Sequence, residues 1–270
     1  MDLHGRGKSV RISGIRTNGF VDLTFQWESG IILNMFKDKK EVKTTEKKTP
    51  KSELTRQRIY QTAMRKFRKD GFDETTMREI ATDAEMALGA AYYYFPSKEA
   101  IVLAYYEEVQ TEHEKHYAAW IENEGRKANL RARLGFIFHS KLDILEHDRK
   151  LMGALLRYAG TPDHPLSFFG PGTQDIRMRS IAILEEALKA EDLPADMGTL
   201  VPLALWALQM GTLLYLLHDN SAAQKKTRRL IDLALDQTIR LLAVIRFPLM
   251  KPVRTHITGM LKELELIPNE

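Results

Sequence analysis

Side chains able to do chemistry are concentrated between Thr75 and Glu99. The stretch holds Thr76 three residues before Glu79, Arg78 between them, the aromatic run Tyr92-Tyr93-Tyr94-Phe95, and Lys98 just beyond. A guanidinium can donate twice to the major-groove edge of guanine, while hydroxyls and ammonium groups hold phosphate oxygens. Recognition of a nucleic acid is the chemistry this set can perform. Catalysis has less to draw on. The chain has no cysteine, which excludes disulfides, thiolate metal sites and cysteine nucleophiles and fits a reducing, cytoplasmic compartment. It shows no glycine-rich phosphate loop and no nucleophile elbow. Glu112, His113, His116 and His139 come nearest to a metal set, since helical neighbours three apart share a face. The run Glu112 to Lys115 reads instead as a solvated helix face. The expectation is a protein that is not an enzyme and carries no metal or cofactor.

Charge supports the same chemistry. Between Lys37 and Lys69 there are 13 Lys/Arg against 4 Asp/Glu, whereas the whole chain is only +4, so the remainder is net negative. A basic stretch beside an element that can enter a groove is the electrostatic footprint of phosphate binding. The run Lys37 to Lys51 has too few apolar residues to pack, and it reads either as an arm that follows phosphates or as a solvated tail. One segment resembles a membrane span: Leu200 to Leu217 holds 18 residues without a charge. Pro202 and Gln209 interrupt it, and the similarly apolar segment that follows carries Asp232, Asp236 and Arg240, so both read as helices of a buried bundle. No membrane role is expected.

The elements that must position these groups are all helical. Glycines at 5, 7, 14, 19 and 30 break residues 1–34 into short mixed stretches, and Val21 to Trp27 is at most a strand without a partner, so this part reads as disordered. Ser52 as a cap, then Leu54, Ile59, Ala63, Met64 and Phe67 on one face, give a first helix stopped by Gly71. Thr76 with Glu79 forms a capping box for a short helix Met77 to Ala84. A turn around Glu85 and Met86 leads to a second short helix, Ala87 to Phe95, closed by Pro96, and the pair makes a helix-turn-helix. A long helix follows from about Ser97 to Asn123, and helical patterns continue near 128–146, 149–158, 173–190, 197–218 and 224–247, with a shorter amphipathic tail after Pro252. The fold class is all-α: an N-terminal three-helix DNA-binding domain and a larger helical domain.

The ordered set Gly71-Phe72, Thr75-Thr76-Met77-Arg78-Glu79-Ile80-Ala81, Gly89, Tyr92-Tyr93-Tyr94-Phe95 and Ser97-Lys98-Glu99 resembles the N-terminal pattern of TetR family transcriptional regulators. The match covers about one sixth of the chain and departs from the family at the turn and at the start of the reading helix. Glu85 stands where a glycine is usual, and a side chain there strains a left-handed turn. Ala87, Leu88 and Ala90 replace the usual polar residues, which shifts base recognition toward thymine methyls, Arg78 and DNA shape.

The resemblance implies a regulator that binds double-stranded DNA at a palindromic operator as a homodimer and answers to an unknown small-molecule effector. By its geometry Thr76 and Lys98 contact phosphate, Tyr92 and Tyr93 reach the backbone or bases, Gly89 permits close approach, and Arg78 donates to guanine. Thr76 has a second reading as a cap alone, and Tyr94 and Phe95 read as core. The two long C-terminal helices supply the dimer's four-helix bundle. The effector pocket lies inside the body, with Phe136, His139, Leu155, Tyr158 and Phe168 as candidates, and with Phe169, Trp206, Met210 and Tyr215 beside them. An apolar or amphipathic effector suits such a lining. The loop Thr161 to Gly172 is the candidate gate, and a tilt of the fourth helix would carry the signal.

These readings divide the chain into an extension and basic arm (1–51), a DNA-binding domain (52–97), an effector-binding and dimerisation domain (98–250) and a tail with a short helix (251–270). The function expected is a dimeric repressor released by its effector; the alternative is a DNA-binding regulator whose body binds a protein partner and no small ligand. Activation in place of repression stays open. Residues 1–34 read as upstream of the true translation start at Met35. Intact mass of the natively expressed protein tests this: a chain beginning at Met35 is expected, and an N-terminus upstream of it overturns the reading.

Overall fold

A computed structural model describes residues 50–263. The readings on the extension, the basic arm up to residue 49 and the start at Met35 lie outside the described residues. Ten α-helices follow one another, with no strand among the described residues: α1 (Pro50–Lys69), α2 (Met77–Asp83), α3 (Leu88–Tyr94), α4 (Lys98–Asn123), α5 (Leu130–Leu145), α6 (Arg149–Ala159), α7 (Gln174–Leu188), α8 (Leu200–Leu216), α9 (Lys225–Ile245) and α10 (Lys251–Glu263).

The head is α1 to α3. Helix α1 starts at Pro50, two residues before the expected cap at Ser52, because proline fits a first turn whose amides have no partner in the helix. Ile59, Ala63, Met64 and Phe67 are buried as expected, but Leu54 is 68% exposed. Five residues separate Leu54 from Ile59, which turns it to the opposite side of a helix of 3.6 residues per turn. At α2 the capping box forms: Glu79 N donates to Thr76 Oγ1 at 3.2 Å, and Thr76 N donates to Glu79 Oε2 at 2.8 Å. Each bond satisfies an amide that the helix start would otherwise leave free.

Helix α4 joins head to body. A single apolar cluster runs from Ile59 and Phe67 in α1, through Ile101 and Tyr105 in α4, to Leu151 and Leu155 in α6 and Leu213 in α8. The head therefore shares its core with the body. A second cluster fills the far half of the body from α5, α7, α8 and α9, with Leu134, Leu184, Leu216 and Leu235 fully buried. The stretch Ala195–Leu216 is long and apolar enough to cross a membrane by length and composition. Its helix α8 is instead built into the bundle through Val201, Leu205, Trp206, Leu213 and Leu216, as the interrupting Pro202 and Gln209 suggested. Helix α10 lies in the tail where a short helix is expected, and buried Arg254 fastens it to the body, donating to Asp196 at 3.0 Å and to the Ile245 carbonyl at 2.8 Å.

The turn between α2 and α3 carries the strain that its sequence foretold. Glu85 has φ of +54°, in the left-handed region, which disfavours any residue with a Cβ. Replacing it with glycine removes that clash while leaving the turn in place. Glu85→Gly is expected to raise the stability of the protein by about 1 kcal/mol, read from chemical denaturation, and an unchanged midpoint would show that the turn holds no strain.

Candidate functional site

Helix α3 presents two opposite sides. Ala91 is fully buried and Phe95 is 2% exposed, and these two pin the helix against the head. Gly89, Tyr92 and Tyr93 lie on the other side, related by the three- and four-residue spacing of a helix face, and all three are exposed. Ala87 is exposed at the cap of α3, and Leu88 and Ala90 are half-buried on its flanks. Arg78, on α2, is exposed as well. A Cβ built on Gly89 would meet nothing within 4 Å, so the glycine leaves open space outside the protein and fills no need inside it. Of the expected core pair, Phe95 is buried and Tyr94 half-buried, the latter in edge-to-face contact with Tyr93 at 5.2 Å.

Two residues expected at phosphates are already engaged. The hydroxyl of Thr76 completes the capping box. Lys98 Nζ donates to the carbonyls of Phe72 at 2.7 Å and Asp73 at 3.2 Å and stands 4.7 Å from the centre of the Phe72 ring. Lys98 thereby holds the loop between α1 and α2 against the start of α4.

Several polar ties connect this head to the body. Arg68 of α1 donates twice to Asp148, at 2.6 and 2.9 Å, and Tyr105 of α4 donates to the same carboxylate at 2.8 Å. Burial would raise the Asp148 carboxyl, but Arg68 and the Tyr105 hydroxyl outweigh it and hold the group below its ordinary range. From α6, Arg157 and Tyr158 both bond to Asp73, in the loop after α1. Here the carboxyl is also held low, first by the Tyr158 hydroxyl, against some burial, and then by Arg157.

Behind these ties lies a cavity with an empty volume of about 730 Å³ counting its open mouth. Leu155, Phe168, Trp206 and Met210, four of the expected pocket residues, line it. The other five sit elsewhere. Phe136 stacks on Trp120 at 4.6 Å in the second core cluster, and His139 meets Asp232 of α9 at 3.1 Å. Tyr158 stacks on His164 at 4.3 Å and faces the head. Phe169 is 62% exposed, and Tyr215 is 39% exposed on the outer side of α8. Residues not foreseen complete the wall, among them Tyr106, Gln110, Lys141, Thr173 and Arg177. A lysine or arginine in a helical pattern reads as surface, so the sequence offered no signal for Lys141 or Arg177.

The loop 161–172 reaches the cavity through Phe168. It is tied down: Phe168 N donates to Ala159 O at 2.9 Å, and Thr173 Oγ1 donates to Ser167 O at 2.6 Å. A Cβ on Gly172 would come within 2.8 Å of the Pro165 carbonyl, so only glycine fits where the loop closes on itself. His113 corrects another expectation. It is 1% exposed, with Nε2 2.9 Å from the Ile137 carbonyl, although its neighbours Glu112 and His116 are exposed as a solvated face requires. A charged run can cover only part of a helix, and His113 falls on the side that α5 covers. No group of three or more potential metal ligands gathers among the described residues.

Fold and site together define a helix-turn-helix head on a helical body with an internal cavity. Residues 59–105 match the model of the bacterial regulatory proteins of the tetR family, and residues 133–255 match that of the tetracyclin repressor-like C-terminal domain. The chain belongs to the TetR family. Two curated relatives from Bacillus subtilis, the uncharacterized HTH-type transcriptional regulators YuxN and YerO, are 44% identical over 46 residues and 45% identical over 49. The match takes in 17% and 18% of this chain and only 16% and 17% of those relatives' lengths. Among solved structures, the fold is similar to that of a TetR-family regulator from Streptomyces coelicolor, with a TM-score of 0.56, 19% identity, and 77% of this chain and 89% of that one covered. It is similar also to FadR of Thermus thermophilus, with a TM-score of 0.50, 21% identity and coverage of 70% and 93%. At these identities the likeness is one of fold. The family is described as one of regulatory proteins, in keeping with the expectation of a chain that is not an enzyme.

Gly89 gives the exposed side of α3 a direct test. Gly89→Ala is expected to stabilise the protein by up to about 0.5 kcal/mol, since glycine in the first turn of α3 loses more backbone freedom on folding than alanine. The same change should weaken DNA binding about tenfold, the size of one lost base contact. Thermal unfolding and fluorescence anisotropy with bound DNA read the two effects, and unimpaired binding would remove Gly89 from the interface.

Proposed function

We propose that the protein is a cytoplasmic, dimeric transcriptional repressor that binds a palindromic operator through α3 and is released from it by a small apolar or amphipathic effector. The observation that carries this reading is the two-sidedness of α3, held by Ala91 and Phe95 and offering Gly89, Tyr92 and Tyr93 outward. Its N-terminal end, Ala87 to Ala90, suits apolar contact with thymine methyls in the major groove. Arg78 supplies a donor for guanine, Thr76 stands at the phosphate edge, and Lys98 adds positive charge while holding its loop.

A second copy of the chain explains the outer faces of α8 and α9. Leu214, Leu233, Leu241 and Val244 are between 44% and 58% exposed on these two helices, large apolar side chains that a partner would cover. A symmetric pair would present two heads to two half-sites of a duplex.

Tyr105 and α6 suit a relay from effector to head. Tyr105 lines the cavity and bonds through its hydroxyl to Asp148, which holds Arg68 of the head. Helix α6 lines the cavity with Met152 and Leu155 and grips Asp73 with Arg157 and Tyr158. An occupant that shifts either element favours a different spacing of the two heads and disfavours the operator. FadR of Thermus thermophilus, of similar fold, is a repressor solved in complex with lauroyl-CoA, which supports an acyl-type amphiphile as the sort of molecule to consider. The cavity favours this reading over a body that binds only a protein partner.

Selection of bound fragments from the organism's genomic DNA, with purified protein at stated salt, tests the proposal. The expected result is enrichment of an inverted repeat bound by two copies of the chain. Recovery of no enriched site would overturn it.

A further inference from the structure

The cavity wall carries a charge with nothing opposite it. Lys141 of α5 lines the cavity and is 5% exposed, and its Nζ donates to Gln110 Oε1 at 3.0 Å. No carboxylate among the described residues comes within ion-pair distance of it. Glu114, the acid whose field it feels, is spoken for: Arg179 donates to both its oxygens, at 2.7 and 2.6 Å, and Gln110 Nε2 donates to it at 3.1 Å. Arg177 of α7 also lines the cavity, without an ion pair, its guanidinium donating to the Phe168 carbonyl. No Asp or Glu lines the cavity.

Orphaned polar atoms stand one helical turn away. His113 Nδ1 and Gln209 Oε1 are buried without a hydrogen-bond partner, while the other end of each side chain faces the Ile137 carbonyl. The rest of the wall is largely apolar, with Met152, Leu155, Trp206 and Met210 prominent. A buried ammonium without a counter-charge is costly, and the cost is relieved by an anion that fits.

We propose that the cavity takes an amphiphile bearing one carboxylate, whose head pairs with Lys141 while its hydrocarbon body lies against Met152, Leu155, Trp206 and Met210. The inference rests on the reading of this cavity as the effector site. A neutral occupant leaves the ammonium unpaired, and a cationic one is repelled by Lys141 and Arg177. One carboxylate matches the two hydrogens that Lys141 Nζ has left after Gln110.

The charge on Lys141 makes the binding pH-dependent. Burial pushes its ammonium down to about 7, Glu114 opposing and Arg179 adding to the fall. On α4, His113 is pushed down to about 3 by burial and then by Lys141, so it is neutral in this range; on α7, Arg177 stays cationic. From α8 the facing group is the uncharged Gln209. A bound carboxylate raises the Lys141 pKa, so its affinity is level just below pH about 7, where the ligand is still ionised, and falls above it as the empty site loses its proton.

Calorimetric titration of the full chain with straight-chain carboxylates of six to fourteen carbons, and with the matching alcohols, near pH 6.5 and near pH 8.5 tests this. Carboxylates are expected to bind at least about tenfold more tightly than alcohols of equal length at the lower pH, as a buried charged hydrogen bond allows. The advantage should shrink at the higher pH. Lys141→Arg, which keeps the charge, should retain the preference and lose its pH dependence. Lys141→Met should bind alcohols and not carboxylates. Alcohols that bind as well as carboxylates, or a preference unmoved by either substitution, would overturn the inference while leaving the effector site intact. Failure of every member of both series would sink the effector reading itself.

Discussion

Asp148 is the buried carboxylate through which the head is joined by charge to the body. It follows α5 and precedes α6, it is 7% exposed, and it accepts bonds from Arg68 in the head and Tyr105 in the connecting helix. A carboxylate so placed must be paired, because burial without partners would drive it to its neutral form. The pairing fixes where α1 sits relative to α4 and α6. The apolar cluster that runs from Ile59 to Leu213 then packs around that arrangement. A head that shares its core with the body is packed against the same helices that line the cavity.

The same economy of partners explains the cavity. Many polar groups elsewhere in the body are matched, Arg131 with Asp232 and Asp236, Arg133 with Glu191, Arg179 with Glu107 and Glu114, Asp219 with Ser221 and Thr227, while the Tyr117 hydroxyl and Arg246 Nε are also buried without a partner. Lys141 and Arg177 line the cavity with no carboxylate in its wall, and His113 and Gln209, outside that wall, each keep one buried atom unpaired. Stability alone does not favour such a cluster, since apolar residues of similar size would fill it more cheaply. Sites that violate local rules in company are the places where function is expected.

Much of the head was legible because its signals are local. Thr76 and Glu79 form the expected capping box, Gly71 ends the first helix, and the departure at Glu85 appears as a left-handed turn. Elsewhere helix geometry or a neighbour across space decides the outcome. Leu54 precedes Ile59 by five residues, a spacing that turns it away from the buried face of α1. Lys98, in a position that suggests a phosphate contact, is drawn to the Phe72 and Asp73 carbonyls.

The sequence by itself determined the helices, their order, the helix-turn-helix and the family, because caps, breakers and apolar repeats act within a few residues of one another. It also placed Leu155, Phe168, Trp206 and Met210 among the pocket candidates, although aromatic and Met residues at helical spacing suit core and cavity alike. Only the tertiary structure decided between those uses, sending Phe136 to a stack with Trp120 and Tyr158 to the head. It alone revealed that Lys141 and Arg177 face inward and that Asp148 joins head to body. Those roles depend on which helices meet and which charges are left unmatched when they do, and such pairings span residues far apart in the chain.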